Sequence, residues 1–142
     1  MEDKIKELRK EKWYDVQFTI EALAVDKEVV EKALKTHIDK MGKIKDIFVY
    51  DTKFLDILKA HKPMKNVEEA YSQVAKVRFF SRDLLTLLNI VMVYGPSSVE
   101  ILGPDKAEIK ISEVQQLSNT VAGLVHQFAA AGVGGIVITP DK

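Results

Sequence analysis

The chain has 142 residues, balances 21 Lys and Arg against 21 Asp and Glu, and contains no cysteine. Zero formal charge argues against non-specific phosphate binding as its main task, and the missing thiols exclude disulfides, thiolate metal sites and cysteine catalysis. With 46% apolar and 30% charged residues the composition is that of a globular domain, and the length suits one with its own core.

Glu2 to Lys12 is strongly charged, with Ile5 and Leu8 three apart, and reads as a short, frayed helix. Its mixed signs lack the apolar run of a signal peptide, so a cytoplasmic location is expected. From Tyr14 the period becomes two. Tyr14, Val16, Phe18, Ile20 and Ala22 share one face, and Asp15, Gln17, Thr19 and Glu21 the other, which predicts a strand. Asp26 is placed to cap a helix with Glu28 in its first turn. Val29, Val30, Ala33, Leu34, His37, Ile38 and Met41 mark its buried side, and Gly42 offers a left-handed stop. A second strand is expected at about 44–51, where Ile47 and Val49 oppose Phe48 and Tyr50. Apolar residues on both faces predict an interior position.

Residues 52–64 are ambiguous. Phe54, Leu55 and Leu58 suit a short helix, and His61 to Met64 a loop. Asn66 and Glu69 make a capping-box pattern that predicts a helical turn over 67–73, whereas Val74, Val77 and Phe79 read as a third strand. Whether 66–80 is helix or strand stays open. Ser81 is the expected cap of a helix running to about Tyr94, whose wide apolar coverage predicts burial on more than one side. Gly95-Pro96 ends it. A strand at 98–102, a turn at 103–106 and a hairpin partner at 107–111 follow.

Ser112 and Gln115 form a capping box that opens the last helix, with Glu113 in the first turn. Val114, Leu117, Val121, Leu124, Val125 and Phe128 form its expected buried stripe. Gln115, Ser118, Asn119, Ala122, His126 and Ala129 populate the remaining surface without a charge. Gly132, Gly134 and Gly135 then precede Ile136 to Thr139, a short tail strand. Between Val114 and Pro140 there is no charged residue, although residues 1–83 carry 18 basic and 16 acidic side chains. No linker separates these regions. The contrast predicts a wetted half and a covered half of one α+β domain over 1–142, with a charged segment at 1–12 and an oligomerisation tail at 112–140.

The order β-α-β then β-α-β predicts a ferredoxin-like βαββαβ core, extended by the hairpin strand, the long C-terminal helix and the tail strand. The competing arrangement makes 66–80 wholly helical, with fewer central strands.

No catalytic motif is present, and the sequence does not tell whether the chain is an enzyme. Nothing calls for a cofactor or a metal ion: the three histidines, His37, His61 and His126, are widely spaced. The longest apolar stretch near the middle, Leu84 to Val93, is far short of a membrane span. Lys76, Arg78 and Arg82 near Phe79 and Phe80 make a basic-aromatic cluster, better read as rim charges around a buried ring, so nucleic acid is not an expected partner. Abundant Lys and Glu without cysteine suit a thermophile. The expected partner is a second copy of the chain, met through Gln115, Ser118, Asn119, Ala122, His126 and Ala129. Such a contact strands no ion. The rival reading is a small-molecule enzyme or ligand-binding domain built on Tyr94, Ser97, Ser98 and Glu100, completed by His126 of another copy. That segment is no phosphate loop, because it has one glycine and no following lysine.

Overall fold

The period-two pattern that begins at Tyr14 sets the frame of an α+β fold, seen in a computed structural model that describes residues 1–64 and 67–132. The elements are α1 (Glu2–Lys10), β1 (Tyr14–Ala24), α2 (Lys27–Met41), β2 (Ile47–Phe54), β3 (Leu58–Met64), β4 (Val67–Ser81), α3 (Leu84–Tyr94), β5 (Ser98–Gly103) and α4 (Ile111–Ala130). They fall into two compact units, Met1–Ala107 and Glu108–Lys142.

In the first unit an antiparallel sheet has the order β2-β4-β1-β5, with β3 also paired to β4. The central ladder runs from Tyr14 opposite Ser81 to Ala24 opposite Tyr71. On one face Val16, Phe18 and Ile20 of β1 meet Ala75, Val77 and Phe79 of β4. Leu34, Ile38 and Met41 of α2 and Leu87 and Ile90 of α3 complete this core. At its centre Phe18 and Phe79 pack edge to face, with ring centroids 4.7 Å apart, the geometry that aligns positive ring edges with negative faces. Alternation puts Asp15, Gln17 and Thr19 on the other face, opposite Phe80, Arg78 and Lys76.

Local signals decide several boundaries. Asp26 caps α2 by accepting from the Glu28 amide at 2.9 Å. Gly42 ends α2 in a right-handed conformation rather than the expected left-handed one. The left-handed residue of that connection is Asp46. The cap of α3 is Asp83, which accepts from the Thr86 amide at 2.9 Å. Ser81, expected in that role, is fully buried and donates to the Asp83 carbonyl instead. Gly95 does close α3 in a left-handed conformation that suits a residue without Cβ.

Strand pairing overrides several local expectations. The helical turn predicted at 67–73 is part of β4, held by ladders to β1 and β3. Residues 58–64, read as helix end and loop, form β3. β2 is at an edge, not in the interior. Its two apolar faces are explained because Ile47 and Val49 pack on the core while Phe48 faces Phe80. Between β2 and β3 the ladder breaks, and the Gln73 amide donates to the freed Leu55 carbonyl at 3.0 Å. The buried side of α3 is single: Leu87 and Ile90 are enclosed, while Met92 and Val93 are exposed.

In the second unit, α4 starts at Ile111 with Lys110 as its cap residue and no side-chain capping bond, so the Ser112 capping box does not form. The hairpin strand expected at 107–111 is absent, since residues 104–110 carry no strand and Ile111 already belongs to α4. The tail strand at 136–139 lies outside the described residues. Among the described residues, no helix is long and apolar enough to cross a membrane.

Candidate functional site

The segment from Tyr94 to Glu100 connects α3 to β5. His37 Nε2 donates to the Tyr94 carbonyl at 3.1 Å, satisfying an oxygen left over at the end of α3. The two rings lie 4.8 Å apart. Ser97 donates twice to the Thr19 carbonyl, from its amide at 2.7 Å and its hydroxyl at 3.1 Å. Tyr94 and Ser97 therefore fasten this loop to α2 and β1. Ser98 and Glu100 are exposed and pair with Thr19 and Gln17 in the ladder.

On α4, Gln115, Ser118, Asn119, Ala122 and His126 are exposed and Ala129 is half-buried. The Ser118 hydroxyl donates back to the Val114 carbonyl at 2.8 Å. The stripe expected to be buried is not: Val114, Val121, Val125 and Phe128 are all exposed, and α4 has no buried residue. The described part of this unit supplies no second element to cover it.

A cavity of about 510 Å³ opens at the other end of the sheet, lined by Arg9, Trp13, Asp15, Tyr50, Arg78, Leu102, Gly103 and Pro104. It is built by convergence. α1 delivers Arg9, the connection before β1 delivers Trp13, β1 delivers Asp15, and a ladder irregularity between Val49 and Asp51 sets Tyr50 over Phe80, with rings 5.0 Å apart. An extra residue of this kind re-aims a side chain out of the regular pleat. The Tyr50 hydroxyl donates to Asp15 Oδ1 at 2.7 Å, and Arg9 Nη2 lies 3.7 Å from Asp15 Oδ2. Asp15 is only 7% exposed, and this pair of partners compensates its burial. Arg78 Nε donates to Gln17 Oε1 at 2.9 Å, and its terminal nitrogens have no protein partner among the described residues.

Burial, the bond to Asp15 and the charge of that carboxylate push the Tyr50 phenol up to about 12, against a smaller pull from Arg78 and Arg9. Tyr50 is therefore a neutral donor at physiological pH rather than a base. Both guanidiniums act on the same phenol, which places their charges around one cavity. The sequence reading did not single out Arg9, Trp13 or Tyr50. Asp15 on the polar side of β1 and Arg78 in the basic-aromatic cluster were the local signals, and sheet register sets their partners. Among the described residues, no group of three or more His, Asp or Glu side chains is arranged to hold a metal ion.

No curated protein and no solved structure matches the chain. A family model matches residues 15–140, from Asp15 at the cavity through the whole of α4, and the chain belongs to the MJ0538 family.

Proposed function

We propose that this chain is a homo-oligomeric interaction domain in which α4 packs against α4 of a second copy. The observation that carries this reading is one apolar stripe, with Val114, Val121 and Phe128 exposed and Leu117 and Leu124 half-buried. Val114, Leu117, Val121, Leu124 and Phe128 recur at alternating spacings of three and four along a helix with no buried residue. That is the seam of a coiled coil, and β-branched residues at one position with leucine at the other favour two strands. Burying each such side chain is worth about 1.5–3 kcal/mol. In proteins most helical stability comes from packing an apolar face rather than from propensity, and association supplies that packing to α4.

Glu113 is the sole charged residue of α4, so two copies meet without desolvating an ion. Gln115, Asn119, Ala122, His126 and Ala129 repeat at four and three on the side away from the seam. This uncharged, small-residue stripe suits a second contact that closes a larger bundle. Ser118 flanks the seam. In the first unit, the strand order together with α2 and α3 supports a ferredoxin-like βαββαβ core, with β2 and β3 as one interrupted strand. In this reading the core carries α4 into the assembly. A ligand site at Tyr94, Ser97, Ser98 and Glu100 has weaker support, because Tyr94 and Ser97 are already used to fasten the loop.

Light scattering on the intact chain at micromolar concentration tests the proposal. The expected mass is at least twice the 16.0 kDa of one chain. Leu117→Glu combined with Val121→Glu is expected to give single chains that keep the near-ultraviolet dichroism of the first unit. A wild-type protein that stays single overturns the reading, as does a double variant whose mass is unchanged.

A further inference from the structure

We propose that the cavity bounded by Arg9, Trp13, Tyr50, Arg78 and Pro104 binds a small organic anion with a flat ring. The acid group sits between the two guanidiniums, and the ring lies against Trp13, Leu102 and Pro104. The volume of about 510 Å³ falls within the range of about 300–1,000 Å³ common to small-molecule pockets. Charge decides the sign of the ligand. Arg9 and Arg78 bring two positive charges and Asp15 one negative. Asp15 is already engaged, Oδ1 by the Tyr50 hydroxyl and Oδ2 by Arg9. A cationic ligand would find no unengaged carboxylate in this lining and would face two guanidiniums.

The state of the donors points the same way. Arg78 is anchored through Nε to Gln17, which leaves its planar terminal nitrogens for a ligand. Arg9 is 61% exposed and only 3.7 Å from Asp15, a loose contact that an incoming acid can share. Guanidinium forks match carboxylate and phosphate oxygens in two-point contacts. The neutral Tyr50 phenol adds a group that does not repel an anion. The apolar walls separate this site from a simple ion site, because a bare inorganic anion gains nothing from Trp13, Leu102 or Pro104.

Trp13 is the only tryptophan in the chain, so its fluorescence reports occupancy directly. Phenyl phosphate, benzoate and adenosine monophosphate are titrated as probes, with inorganic phosphate and benzyl alcohol as the two half-molecules. At least one aromatic acid is expected to change Trp13 emission saturably and to bind at least tenfold more tightly than either half-molecule. Arg78→Gln is expected to weaken that binding at least tenfold, and Arg78→Lys less. Lys76→Gln, on the same sheet face outside the cavity, is expected to leave it unchanged. Three results overturn the assignment: no saturable response to any aromatic acid, inorganic phosphate binding as well as phenyl phosphate, or Arg78→Gln binding like the wild type.

Discussion

The Tyr50 hydroxyl donates to Asp15 Oδ1 over 2.7 Å, joining residues 35 positions apart on strands that are not neighbours in the sheet. β4 lies between β2 and β1, so the bond spans it on the face away from the main core, where Phe80 is fully buried. It solves two problems together. Asp15 obtains a donor that its buried position requires. Tyr50 has its hydroxyl directed towards the cavity while its ring covers Phe80.

A pH dependence follows from this pair. Tyrosine in an unfolded chain titrates near 10, whereas Tyr50 in the fold is pushed up to about 12, first by burial and then by Asp15. The folded state therefore holds this proton more tightly. Its contribution to stability is complete below pH 10, declines as the unfolded state ionises first, and is gone above about 12. In a spectrophotometric titration one of the four tyrosines should ionise near 12. That component should be missing in Tyr50→Phe and should move down in Asp15→Asn. A Tyr50 component centred at 10 in the wild type means that the bond to Asp15 is not made in solution.

The caps give a graded comparison. Asp26 and Asp83 each accept from a backbone amide at 2.9 Å, but the bond at Asp26 is exposed and that at Asp83 is part-buried. Replacing a capping aspartate with alanine costs about 1 kcal/mol, and leaving a buried amide unpaired adds to that cost. Asp83→Ala should therefore lower the unfolding midpoint by a few degrees, and by more than Asp26→Ala. Equal shifts in thermal melts count against Asp83 as the working cap of α3.

Elements whose faces are set within a few residues were legible in the sequence: β1 by its alternation, α2 by Asp26 and by Val30, Leu34, Ile38 and Met41, although Val29 and Ala33 of the expected buried side are exposed. Elements that depend on distant partners were not. The Asn66 and Glu69 pattern expresses a local helical preference, but a strand here completes ladders on both sides of β4, which outweighs local propensity. β2 looked interior because it is apolar on both faces, whereas it is an edge strand whose Ile47, Phe48, Val49 and Tyr50 are only half-buried. The cavity was invisible for the same reason. Arg9, Asp15, Tyr50 and Arg78 come from four elements, and only the register and the irregularity after Val49 bring them together.

Gly123 offers a separate probe of α4. It stands in the interior of a 20-residue helix, where glycine costs about 0.5–1 kcal/mol relative to alanine through backbone freedom lost on folding. A Cβ built at this position meets nothing within 4 Å. It is also off the seam, two residues after Val121 and one before Leu124. Gly123→Ala should therefore raise helix content and the unfolding midpoint while leaving the scattering mass unchanged. A fall in mass would instead mean that neighbouring copies approach the backbone at Gly123. The contact surface would then have to be moved away from the valine and leucine stripe, onto the face where only a hydrogen fits.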